Sequence, residues 1–234
     1  MTKRITISTL DAMKASGDKF VMITAYDATF ARLASEAGAE TILVGDSLGM
    51  VLQGHETTIP VSLDAMVYHT ECVARAKPRS LIVADLPFMS FSNSDDALHA
   101  STQLMQAGAQ MVKLEGGTWL SDSINRLVER GVPVCAHLGL TPQSVNVFGG
   151  YRVQGRTPKE AKSILADAVE IQDAGASLLV LECIPAELAG DIASKLDIPV
   201  IGIGAGGGTD AQVLVLHDML GMTESAPKFV QNFM

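Results

Sequence analysis

At 234 residues and 24.7 kDa, with 47% hydrophobic and 18% charged residues, the chain has a globular composition and enough length for a sizeable buried core. A formal charge of −9 and a pI near 4.9 leave no basic face for a phosphate backbone, so nucleic acid is not an expected partner. The apolar stretches are too short to span a bilayer, and Met1 to Leu10 carries Lys3 and Arg4 without an apolar signal-peptide core behind them, so no membrane partner and a cytoplasmic location are expected.

In chain order, the apolar run Phe20–Thr24 predicts a first strand and Thr29–Ala37 a helix behind it. Thr41–Gly45 and Leu81–Ala84 follow as strands, then helix Asp95–Ala107, strand Met111–Leu114 and helix Asp122–Arg130. Val132–Ala136 predicts the fifth strand, and helix Pro158–Ala174 leads to strands Leu178–Leu181 and Val200–Ile203. Val213–Leu216 is the eighth, although Val213–Leu220 also reads as a helix. Strand and helix in alternation mean a parallel sheet covered by helices, and near-continuous apolar strands mean burial on both faces. Eight of them favour a closed (β/α)8 TIM barrel over a doubly wound sheet. No linker-like tract divides the chain, which predicts one domain over residues 1–234.

A local repeat gives the strands a common ending. Ala37-Gly38-Ala39, Ala107-Gly108-Ala109 and Ala174-Gly175-Ala176 each close a helix, with glycine suited to the left-handed cap, and each leads into a strand. Those strands finish on Asp46, Glu115 and Glu182, and Leu81–Ala84 finishes on Asp85. Strands of a parallel barrel point one way, so these four acids are expected to meet at the C-terminal mouth, where barrel enzymes place their sites. Clustered carboxylates need a cation or shared protons, and Mg²⁺ with its oxygen ligands and exchangeable waters is the simplest remedy. Lys113, two residues before Glu115, could bind a substrate carboxylate or carbonyl. The alternative is that each acid merely caps the next helix.

His137, following Cys135 at another strand end, is a candidate for substrate binding or proton transfer, with a satisfied core histidine as the alternative. The other four histidines lack metal-ligand spacing and are assigned no chemistry. Cys72, Cys135 and Cys183 form no Cys-x-x-Cys pair and are expected to be reduced, the latter two as small buried hydrophobes. Gly202 to Gly208 contains a Gly-x-Gly-x-x-Gly match, but it stands near the C-terminus without a fitting acid beyond it. It reads as a tight turn allowing close backbone approach, not as a dinucleotide fingerprint. Trp119 reads as core or loop packing.

The stretch Val44-Gly45-Asp46-Ser47-Leu48-Gly49-Met50, with Gln53-Gly54-His55, resembles the ketopantoate hydroxymethyltransferase family. The similarity continues collinearly through Ala84–Met89, Val112–Gly117, His137–Ser144, Leu181–Cys183 and Gly202–Gly206, spanning about Thr24 to Phe229. The resemblance implies a (β/α)8 barrel that moves a one-carbon unit from 5,10-methylenetetrahydrofolate onto the α-keto acid 3-methyl-2-oxobutanoate, yielding 2-dehydropantoate for pantothenate and coenzyme A synthesis. It implies Mg²⁺ and a homodecamer. Position by position, Asp46, Asp85 and Glu115 match metal-site acids, and Asp46 and Asp85 also border the substrate. Ser47 and Lys113 match residues that hold the keto acid, Glu182 the general base, and His137 a residue beside the substrate. The chain departs from the family pattern by stopping at Met234, where members continue for about another helix, and by a short Thr223–Ala226 segment. A related group of Mg²⁺-dependent lyases and mutases is the enzymatic rival, but its Lys-Lys-Cys-Gly-His-type loop is absent from the sequence. A non-catalytic keto-acid binder is the other rival, and it would not need Lys113 and Glu182 together.

Overall fold

The computed structural model describes residues 4–224 and 226–234. Residues 1–3 of the stretch considered for a leader, and Ser225 within Thr223–Ala226, therefore lie outside the described residues. Eight strands, β1 (Phe20–Thr24), β2 (Thr41–Val44), β3 (Leu81–Asp85), β4 (Met111–Glu115), β5 (Val134–Gly139), β6 (Leu178–Glu182), β7 (Val200–Ile203) and β8 (Ala211–Leu214), close into one barrel in sequence order. Every neighbouring pair is parallel, including β1 with β8.

Two expected strands needed correction. β5 begins at Val134 rather than Val132 and runs on to Gly139, because Pro133 has no N–H to give the ladder, while its carbonyl accepts from Val112. The extension brings His137 into the strand itself. The ambiguous Val213–Leu220 divides: β8 ends at Leu214 and a short helix spans Leu216–Met219.

The helices follow in chain order: α1 (Ile7–Ser16), α2 (Ala28–Glu36), α3 (Leu48–Val51), α4 (Leu63–Arg75), α5 (Ser94–Ala107), α6 (Ser121–Glu129), α7 (Val145–Phe148), α8 (Pro158–Asp173), α9 (Ala186–Lys195) and α10 (Leu216–Met219). Gly38, Gly108 and Gly175 have φ of 102°, 113° and 106°, the left-handed conformation expected of the Ala-Gly-Ala endings. Among the described residues no helix is long and apolar enough to cross a membrane.

Side chains alternate across a strand, so every second residue enters the barrel. Its lower layers are apolar: Phe20 and Met22, Leu81 and Val83, Met111, Cys135, Leu178 and Val180 pack together, and Leu10 of α1 packs into the same cluster. The next inward positions upward are Asp85, Lys113, Glu115, His137 and Glu182. The same two-residue period that builds the core thus delivers a charged layer to the mouth.

Candidate active site at the barrel mouth

The strand register sets the ring. Asp85 is paired across the sheet with Lys113, Glu115 with His137, and Gly139 with Glu182. Gly139 has φ +90°, and a Cβ there would lie 2.3 Å from the Glu182 carbonyl oxygen, so only glycine lets β5 approach β6 this closely. Asp46, two residues beyond β2, donates its backbone N–H to Asp85 Oδ2 at 3.0 Å. Residues Asp46, Asp85, Lys113, Glu115 and His137 are all at most 5% exposed, whereas the Glu182 side chain is 15% exposed and faces the opening. The acids expected to meet do so, across 136 positions of sequence between Asp46 and Glu182.

None of these four acids caps a helix. The caps are made by Thr6, Asp27, Ser62, Asn93 and Thr157. This overturns the capping alternative and leaves the acids available for other chemistry.

Lys113 Nζ lies 3.2 Å from Asp85 Oδ1, which makes no hydrogen bond, and 3.7 Å from Glu115 Oε1. His137 stands between two acids, with Nδ1 3.4 Å from Glu115 Oε1 and Nε2 3.3 Å from Glu182 Oε2. Burial and the nearby Lys113 oppose its protonation, but Glu115 and Glu182 outweigh both and push the imidazole up to about 9. Lys113 Nζ also lies 3.3 Å from His137 Nδ1, where it donates a hydrogen bond when the ring is neutral. Burial favours the neutral form of Glu115, yet Lys113 and then His137 hold its carboxyl below the usual range. Burial and then the Asp85 charge push Asp46 well above that range. Burial likewise raises Asp85 against the pull of Lys113.

With all four acids ionised, Lys113 and a protonated His137 leave two negative charges uncompensated. The raised Asp46 and Asp85 carboxyls are where that excess is felt. Among the described residues no three His, Cys, Asp or Glu side chains converge into a ready-made metal cage. Mg²⁺ does not need one, since it is commonly bound through one or two carboxylates plus waters and substrate oxygens. Asp46 and Asp85, linked by the Asp46 backbone N–H to Asp85 Oδ2, supply hard carboxylate oxygens that fit such an ion, with Lys113 offsetting part of the Asp85 charge. Glu115 is already engaged by Lys113, His137 and the Gln143 N–H.

Residues 4–234 match the family model described as ketopantoate hydroxymethyltransferase. The chain belongs to that family. It is 59% identical over 98% of its length to 3-methyl-2-oxobutanoate hydroxymethyltransferase 2 of Pseudomonas entomophila (strain L48), covering 87% of that protein. It is 56% identical over its full length to the 3-methyl-2-oxobutanoate hydroxymethyltransferase of Saccharophagus degradans, again covering 87%. Membership makes the chain a hydroxymethyltransferase enzyme. Among solved structures, phosphonopyruvate hydrolase in complex with oxalate and Mg²⁺ matches with a TM-score of 0.69 at 14% identity, covering 92% of this chain and 82% of the other. The phosphoenolpyruvate phosphomutase of Streptomyces platensis subsp. rosaceus gives 0.68 at 14% identity, covering 92% and 83%. Those likenesses are of fold alone; sequence separates the hydroxymethyltransferase family from the lyase and mutase rival.

Two members of the site escaped sequence reasoning. Tyr26, buried two residues beyond β1, shares a 2.9 Å hydrogen bond with Ser47 Oγ, and burial raises its phenol far above the ordinary value. Gln143, in the turn Pro142–Ser144 after β5, donates to Asp46 and Glu115. A search for charged strand ends passes over both, because β1 ends without an acid and an amide carries no charge. Their positions just past barrel strands were the available signal.

The remaining residues fall outside this ring. Trp119 is exposed and stacks on Phe91 at 6.1 Å. It lies over Gly116, beside a cavity of about 360 Å³ that reaches the acids only at Glu115. Burial pushes the Cys135 thiol up to about 12, and burial followed by Glu182 pushes Cys183 up to about 11, which makes both poor nucleophiles at neutral pH. The Gly202–Gly208 turn serves close packing: a Cβ on Gly204 would lie 2.8 Å from the Phe229 ring, and one on Gly206 2.4 Å from Ala186 Cβ.

Proposed function

We propose that this hydroxymethyltransferase moves its one-carbon unit from 5,10-methylenetetrahydrofolate to 3-methyl-2-oxobutanoate, forming 2-dehydropantoate with Mg²⁺ as cofactor. The observation that carries the reading is the buried layer of Asp46, Asp85, Lys113, Glu115 and His137 at one mouth, with Glu182 at its more open edge. Asp46 and Asp85 would hold the ion, and Glu115 adds to the negative charge of the set. When bound, a hard divalent cation draws electron density from the keto acid and lowers the cost of removing its C3 proton.

The chain's own groups account for the rest. Lys113 supplies a fixed positive charge to the keto acid's oxygens, and Ser47, steadied by Tyr26, supplies a hydroxyl. Glu182 accepts the C3 proton as general base, and His137 Nε2, 3.3 Å away, orients it. Water opens the donor's methylene bridge, breaking both C–N bonds to release tetrahydrofolate and leaving the one-carbon unit at the oxidation level of formaldehyde. The C3 carbanion adds to that carbon, and its oxygen takes up the proton held by Glu182 to become the product's hydroxyl. The family resemblance also supports a cytoplasmic homodecamer, which sedimentation of the full chain would test.

The test of the enolate route needs no folate. 3-Methyl-2-oxobutanoate deuterated at C3 should lose its label to water with enzyme and Mg²⁺, and keep it once the metal is chelated. Absence of Mg²⁺-dependent exchange would refute the route. A product assay with the methylene-folate donor separates a transferase from a lyase.

A further inference from the structure

Among the described residues, Gln143 is the one neutral side chain hydrogen-bonded directly to the acid layer from outside it. It is 6% exposed, and its Nε2 donates to Asp46 Oδ2 at 2.8 Å and to the Leu86 carbonyl at 2.9 Å. Its backbone N–H donates to Glu115 Oε2 at 3.0 Å. One residue thereby joins acids that follow β2 and end β4, from a turn that follows β5.

The amide orientation is dictated by its neighbours. Both groups facing Nε2 are acceptors, so the flipped amide would set its carbonyl oxygen against a carboxylate and a carbonyl. Oε1 consequently points away and is buried without a donor. An unpaired buried acceptor is costly, and apolar packing alone would be better served by Leu or Met. The residue retains an unsatisfied oxygen while both amide hydrogens are used.

We infer that Gln143 is a positioning residue for the metal site: it occupies Asp46 Oδ2 and Glu115 Oε2, so that Asp46 presents its other oxygen, Oδ1, to a divalent cation. The Leu86 carbonyl anchors the amide just beyond Asp85, so the clamp is fixed to the strand that carries the second acid. Partners that orient a ligating carboxylate commonly govern metal affinity without touching the ion. This inference rests on the metal reading above.

The test is a titration of the substrate-free full chain with Mn²⁺ alone, following the spin-resonance signal of the free ion. Wild type should bind, Asp46→Asn should not, and Gln143→Met should bind about 10- to 100-fold more weakly. Should Gln143→Met fail to fold, Gln143→Asn keeps the amide but is one methylene too short for both acceptors, and the same weakening is expected. Saturating metal should restore most of the turnover of the Gln143 variant. Wild-type Mn²⁺ affinity in a folded Gln143 variant overturns the inference, as does turnover that saturating metal does not restore. A wild type that binds no Mn²⁺ overturns the metal reading itself, and this assignment with it.

Discussion

Raising the pH should unlock His137 and cost the metal-free protein a measurable part of its stability. The imidazole is 3% exposed, and its value rises from the ordinary 6.5 to about 9 because Glu115 and Glu182 flank it. At roughly 1.4 kcal/mol per unit, that rise corresponds to about 3 kcal/mol of folded-state preference for the protonated ring. The folded value lies above the unfolded one, so the stabilisation is complete below about pH 6.5 and disappears as pH climbs through about 9. Urea unfolding of wild type and His137→Gln, both without metal, would be compared between about pH 6 and about pH 9.5. The advantage of wild type over the variant should shrink by about 3 kcal/mol across that window. Parallel stability curves would show that the ring is not held protonated between the two acids, and the charge balance drawn for the mouth would fall with it.

Glu182→Gln should retain keto-acid binding while turnover falls about 10²- to 10⁴-fold, and unchanged turnover would remove Glu182 from the base role. Lys113→Met leaves Asp85 and Glu115 without their buried cation and should destabilise the metal-free protein by about 3–5 kcal/mol in the same unfolding assay. Excess Mg²⁺ should recover part of that loss in thermal melts if the ion shares the carboxylates. Gly139→Ala meets the Glu182 carbonyl and a positive φ together, so a stability loss of at least about 1–3 kcal/mol is expected, with reduced turnover from a displaced Glu182. A variant with unaltered stability and turnover would mean that the approach of β5 to β6 is not rigid.

The barrel and most of its charged layer were legible in the sequence because both follow from local periodicities. Apolar runs such as Leu178–Leu181 mark strands buried on both faces, and Gly38, Gly108 and Gly175 mark where helices turn into them. Asp85, Glu115 and Glu182 end such runs, and parallel strands carry their ends to one side. The start of β5 was misplaced because Val132 is apolar enough for a strand, while the missing N–H of Pro133 decides against it.

The sequence by itself determined that these acids stand at one level of one barrel, since a strand's end is fixed by the residues around it. Only the tertiary structure decided how they divide the work. Gln143 reaches Asp46 across 97 positions, Tyr26 meets Ser47 across the β1–β2 junction, and His137 lies between Glu115 and Glu182 because barrel closure sets the register of β4, β5 and β6. Whether an acid favours a proton, an ion pair or a cation depends on burial and on charges a few ångströms away in space. No local pattern along the chain carries those distances.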